Sequence, residues 1–161
     1  MKINIRTAVS TDCKSIMKLV NELAVYELAP TAVTVTLDEF LDAGFGENPV
    51  WNAFVAEVDE EIVGFSLFYI RYSTWIGRTL YLEDFLVTEN MRGQGVGKLL
   101  FERTIKEAKE KGYFGMVWQV LDWNQPALNF YGKYNSGIDA GWLNGSLSRK
   151  QLDDFETPIL K

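Results

Sequence analysis

The stretch Arg92-Gly93-Gln94-Gly95-Val96-Gly97-Lys98 constrains this chain more than any other. It follows a run with strand character, residues 80–87, and opens a run with helical character, residues 98–111. Glycines at alternate positions admit backbone conformations closed to other residues and let the chain approach a ligand closely. Successive N–H groups in such a bend make a concavity for an anion. The following helix adds unpaired N–H groups and the positive end of its dipole. Strand, glycine turn and helix in that order imply an α/β fold with a phosphate-bearing ligand at the turn. A glycine-rich turn that binds nothing is the plain alternative.

Two common phosphate motifs do not fit. The P-loop needs Gly-Lys followed by Ser or Thr, and here Gly97-Lys98 is followed by Leu99. The dinucleotide fingerprint needs a third glycine three places after the second, and that place holds Lys98.

A chain of 161 residues, 47% hydrophobic with near-zero mean hydropathy, fits one soluble domain with a substantial core. No apolar run reaches the ~18 residues of a membrane span. The start, residues 1–6, lacks the apolar stretch of a signal peptide. The single cysteine, Cys13, forms no internal disulfide and suits the cytoplasm. There is no histidine, which removes His-based triads and His-containing metal sites, and no metal is expected. A net charge of −6 argues against nucleic acid and is compatible with a cationic substrate.

Periodicity orders the elements. Ile3 and Ile5 mark a short strand, and Ile16, Leu19, Val20, Leu23 and Ala24 a helix over about 12–28 with Ser10 or Thr11 as its cap. Thr36 with Glu39 opens a short second helix. Strands are expected at 54–58, 62–72, 80–87 and 116–121, with one more possible at Trp142 and Leu143. Gly112 stops the helix after the glycine turn, and Asn124 with Pro126 opens a last helix to about Lys133. The outcome is a mixed sheet with helices on both faces.

Glu83 and Asp84 lie inside an apolar strand, which is costly unless they are used or paired. Successive strand residues point to opposite faces, so at most one is expected to face a given pocket. Pairing with Arg78 is the structural alternative to a functional role. Tyr131, on the last helix, reads by itself as a core residue with a satisfied hydroxyl.

What remains of the glycine stretch, Arg-Gly-x-Gly-x-Gly between strand and helix, is similar to the pyrophosphate loop of the GNAT acetyltransferase family. Further stretches resemble its spermidine/spermine N-acetyltransferase branch: Glu22-Leu23-Ala24 with Tyr26-Glu27, Asp42 with Gly44-Phe45-Gly46, Trp75-Ile76-Gly77, Tyr81-Leu82-Glu83-Asp84-Phe85, Trp123-Asn124 with Pro126, and Asn129-Phe130-Tyr131. The likeness covers about residues 3–134. It departs after Tyr131, where relatives read basic, basic, Gly and this chain has Gly132-Lys133-Tyr134-Asn135.

The resemblance implies a single GNAT domain over residues 1–161, with a mixed, mostly antiparallel central sheet and helices on both faces. It implies transfer from acetyl-CoA to a primary amine of a polyamine or similar small diamine. Thialysine or another small amine, and a weakly catalytic CoA-binding regulatory module, are the alternatives. By the same resemblance Phe85, Leu86, Val87, Arg92, Gly93, Gln94, Gly95, Val96, Gly97, Lys98, Asn124, Gln125, Pro126 and Ala127 hold acetyl-CoA. Tyr26, Glu27, Trp75, Glu83 and Asp84 line the amine groove. Glu83 is the implied base, acting through a water, and Tyr131 the acid that protonates the leaving thiolate. Backbone N–H groups near Leu86 and Val87 would polarise the thioester carbonyl if the strand splays there. A cytoplasmic homodimer sharing its groove, with no nucleic-acid or membrane partner, completes the expectation.

Overall fold

Uninterrupted buried runs such as 53–56 and 63–68 mark strands covered on both faces. The computed structural model of the chain, which describes residues 1–155, shows that cover. The chain forms two compact units, the first ending at Gln119 and the second beginning at Val120. In the first unit β1 (Ile3–Thr7), α1 (Cys13–Tyr26), α2 (Leu37–Phe45), β2 (Asn52–Val58), β3 (Glu61–Ser73), β4 (Gly77–Val87), α3 (Val96–Glu110) and β5 (Met116–Trp118) follow in order. They build one five-stranded sheet, β1-β2-β3-β4-β5, antiparallel throughout except for the parallel β4–β5 pair. The second unit holds α4 (Gln125–Gly132) and a short α5 (Arg149–Asp153).

The two sheet faces have separate cores. Ile16 and Leu19 of α1 and Phe40 of α2 pack with Ala53, Val55, Phe65, Leu67 and Leu86. Strand alternation sends Ser66 to the opposite face, where its hydroxyl meets that of Thr104 on α3 at 2.8 Å in a buried hydrogen bond. Phe101 of α3 lies on that side too, 5.6 Å from the Phe85 ring and 5.7 Å from Trp118.

Local signals explain most element ends. The Thr36 hydroxyl accepts from Glu39 N at 3.2 Å and starts α2. Gly112, at φ +67°, ends α3, with Tyr113 N donating to Ala108 O and Gly112 N to Lys109 O. Neither Ser10 nor Thr11 caps α1. A 3₁₀ turn over Ser10–Asp12 precedes it, and the Asp12 carboxylate takes the hydrogen bonds, from Val9 N at 2.8 Å and from Arg6 at 2.6 Å. The charged Arg6 partner makes Asp12 the stronger acceptor. β5 is three residues long and ends at Trp118 rather than Leu121. Trp142 and Leu143 are 75% and 96% exposed and belong to no strand among the described residues. An apolar pair shows β propensity but not a partner to bond with.

Candidate active site

The site is built on a register shift. Leu67 of β3 stands opposite Asp84, but the next residue, Phe68, stands opposite Leu82. Glu83 is therefore the extra residue of a β-bulge. Tyr69 pairs with Tyr81, and Tyr69 shares a face with Leu67, so Tyr81 and Asp84 share that face too. Glu83 joins them, since the Tyr69 side chain hydrogen-bonds to its carboxylate. The expectation that Glu83 and Asp84 point apart is thus corrected: the inserted residue breaks the alternation. Glu27, the residue that ends α1, completes a group whose charges bear on Asp84.

Electrostatics mark this group. Burial, then the charges of Glu83 and Glu27, push the Asp84 carboxyl up to about 6. Burial raises Glu27 as well. Tyr69 is pushed up to about 12 by burial, by its bond to Glu83 and by that carboxylate's charge. Burial and Glu83 likewise raise Tyr81, whose ring stacks on Tyr69 at 5.2 Å. Pairing with Arg78 does not occur: among the described residues the ion pairs involve other side chains. Carboxylates held together without a cation of their own attract one, and an alkylammonium group meets that need.

The glycine loop has a different character. Gly93 and Gly95 have φ of +74° and +89°, and a Cβ added at either would meet nothing within 4 Å. The requirement for glycine is conformational there, and the space over the loop is open. Gly95 begins α3 with no side-chain cap and no acid in the first turn. By contrast α2 starts with the Thr36 cap and with Asp38 and Glu39 in its first turn. The start of α3 thus keeps its positive end uncompensated, which fits the pyrophosphate of acetyl-CoA. Pairing between β4 and β5 stops at Leu82 and Trp118, while β4 runs on to Val87. Leu86 and Val87 lie beyond that ladder on the β5 side, while β3 still pairs with both on the other.

Arg92 braces the entry to the loop. Its Nε donates to Val87 O at 2.9 Å, and its guanidinium carbon lies 4.8 Å from the Tyr26 ring centroid. Glu22 secures the same entry from α1, accepting from the Thr88 hydroxyl at 2.9 Å and from Glu89 N at 3.2 Å. Neither Glu22, Tyr69 nor Tyr81 was singled out from sequence for these roles. Tyr81 stands two residues before Glu83 on the same strand and Tyr69 on the strand before it, but only the register brings them to the acids, and no local pattern marks the Glu22 contact.

The structure draws Glu27, Glu83 and Asp84 together and sets Trp75 apart within the chain. Trp75 is 86% exposed at the β3–β4 turn, where its N donates to Ser73 Oγ at 3.2 Å. Ser73 is five residues past Phe68, roughly 17 Å along the strand at a rise of 3.3–3.4 Å each. In the second unit Asn124 Oδ1 accepts from Ala127 N at 3.2 Å and caps α4, with Pro126 in the first turn. Gln125 Nε2 donates to Asn129 Oδ1 at 2.8 Å. Tyr131 is 6% exposed, its ring 5.5 Å from that of Phe130.

Comparison with known proteins agrees with this geometry. Residues 15–135 match the Acetyltransferase (GNAT) family. Thialysine N-epsilon-acetyltransferase of Mus musculus is 37% identical over 151 residues, covering 87% of this chain and 89% of that protein. Spermidine/spermine N(1)-acetyltransferase-like protein 1 of Homo sapiens is 34% identical over 161 residues, 94% of this chain but 23% of that protein. Among solved structures, an aminoglycoside acetyltransferase from an uncultured soil metagenomic sample, in complex with sisomicin, has a TM-score of 0.76 at 19% identity. That match covers 91% of this chain and 97% of the other, and shows the fold.

Proposed function

Because the chain belongs to the GNAT family and is an N-acetyltransferase acting on small amines, we propose that it acetylates a primary amine of a polyamine or similar small diamine, from acetyl-CoA. The observation that carries the diamine is the bulge, which turns Glu83 and Asp84 to one face within reach of the Glu27 charge, with no ion pair to any of the three among the described residues. A free alkylammonium has a pKa of ~10 and must lose a proton before it can attack. Glu83 takes that proton through a water, held in place by the Tyr69 hydroxyl. Asp84 and Glu27 hold the acceptor's positive charge beside it.

Acetyl-CoA, when bound, supplies an activated acetyl group on a thiolate leaving group. The N–H groups of the Gly93–Lys98 loop would hold its pyrophosphate, and those near Leu86 and Val87 its acyl end. Arg92 braces the entry to that loop through Val87 O. In the second unit, Asn124 to Ala127 serve the same cosubstrate, and the Tyr131 hydroxyl donates a proton to the departing thiolate. The family match runs to residue 135, across the boundary between the units, which supports reading the chain as one domain. A cytoplasmic homodimer remains part of this reading; among the described residues no helix is long and apolar enough to cross a membrane.

The mouse relative's name favours a second acceptor, thialysine. A panel of spermidine, spermine, putrescine, thialysine and neutral amides, incubated with acetyl-CoA and read by thiol release, tests both. Release with cationic amines alone is expected. No release with any amine would end the proposal and leave a CoA-binding module. Tyr131→Phe should lower kcat by about 10–10³-fold with stability retained; a fully active variant that loses ~1 kcal/mol of stability would make Tyr131 a packing residue.

A further inference from the structure

The row of side chains beside the bulge continues to a cation. On β3, Arg71 is two residues beyond Tyr69 and shares its face. Its guanidinium leans back over Tyr81, with Cζ 5.6 Å from the ring centroid. The Tyr81 ring stacks on Tyr69, whose hydroxyl is bonded to Glu83. Arg71 is exposed, and it takes part in none of the ion pairs among the described residues. Its charge reaches both phenols and opposes the effect of Glu83 on them. One face therefore runs from the carboxylates of Glu27, Glu83 and Asp84, through Tyr69 and Tyr81, to the guanidinium of Arg71.

Two kinds of acceptor can offer an amine to Glu83, and they differ at the other end. A polyamine ends in a second ammonium, which Arg71 repels. A diamino acid ends in an ammonium and a carboxylate on one carbon. That end has no net charge, and its carboxylate matches the paired donors of a guanidinium. Tyr81, under the Arg71 guanidinium, is two residues from Glu83, about 7 Å along β4. The side chain of an ornithine- or lysine-type amino acid bridges such a distance from its terminal nitrogen to its carboxylate.

We propose that Arg71 is a specificity-determining residue that anchors the α-carboxylate of a diamino acid acceptor and disfavours polyamines. The inference rests on the amine-acetylation reading above and, within it, favours the second acceptor named there, of the thialysine type, over the polyamine. The competing role is a structural one, with the Arg71 stem covering the Tyr81 ring.

Matched pairs separate the two: L-ornithine against putrescine, and L-lysine against cadaverine, each amino acid with its decarboxylated counterpart. The wild-type protein should prefer the amino acid of each pair. Arg71→Gln should lower kcat/KM for the amino acids about 10–100-fold, the worth of a charged hydrogen bond, mostly through KM. It should leave the decarboxylated partners equal or better, so that the preference collapses. Arg71→Lys, which keeps the charge and loses the fork, should retain part of it. An unchanged preference in Arg71→Gln would overturn the anchor, as would a wild-type preference for putrescine and cadaverine. Calorimetric binding of the same four amines yields the same ratios without turnover. An inactive protein that still discriminates by Arg71 would keep the anchor and discard amine acetylation.

Discussion

The two ends of β4 are built on opposite principles. From Thr79 to Leu82 the strand is wall: Thr79, Leu80 and Leu82 are 2%, 0% and 2% exposed, with β3 bonded on one side and β5 on the other from Leu80 on. At Glu83 the β5 ladder has stopped, the register with β3 has slipped by one, and two acids face the same way. The first end gains free energy by removing apolar surface from water. The second holds carboxylates that pair with no cation among the described residues. One inserted residue separates the two regimes, and it sits where the edge of the strand is released. Bulges re-aim side chains in this way where a strand must stop being only structure.

The contrast can be broken from either side. Leu82→Ala should have the largest effect on stability, about 2–5 kcal/mol from lost burial and a residual cavity, read as a lower urea midpoint. The folded fraction should still bind amines; loss of binding at unchanged stability would erase the division between the ends. Asp84→Asn should do the reverse. The folded carboxyl titrates near 6 against an ordinary value of 3.8. The folded state therefore holds more protons than the unfolded one between those pH values, and stability falls as pH rises through them. Removing the charge should then stabilise the protein above pH ~6 by on the order of 2 kcal/mol and change little below pH ~4. Melting curves at both ends of that window check the sign; an Asn variant less stable at neutral pH would show that the protein already compensates Asp84. The smallest effect concerns screening. Raising salt from about 0.1 M to about 1 M shortens the Debye length from about 10 Å to about 3 Å. The KM for a diamine should rise a few-fold, while a salt-independent KM would deny the carboxylates their part in binding.

Much of this was legible in the residues. The glycine turn, the Thr36 and Asn124 caps and the Gly112 stop each need only a local pattern, and the strands that carry buried runs appear where their apolar residues do. The bulge was not. Register belongs to two strands at once, and nothing in Glu83 or Asp84 announces that Phe68 pairs with Leu82. The strict alternation rule therefore sent the acids to opposite faces. The same limit hid Tyr69, Tyr81 and Arg71, whose significance depends on which residues they stand opposite. β5 was overestimated for a related reason, since an apolar run does not say where its neighbour ceases to bond. The short helix over Arg149–Asp153 has a local signal in its Ser148 cap but no apolar stripe to announce it.

The central claim is that the bulge places Glu83 to take the proton from an amine gathered by its neighbours. The most direct measurement is the pH dependence of kcat for Glu83→Gln beside the wild type, with a saturating amine that the wild type accepts. At neutral pH the variant should be slower by roughly 10²–10⁴-fold, the share of a general base. The deficit should shrink as pH rises toward the amine's own pKa of ~10, where the acceptor arrives already deprotonated. CoA affinity, measured by calorimetry, should not change. A variant that turns over at the wild-type rate at neutral pH, or whose deficit is the same at every pH, would contradict the account.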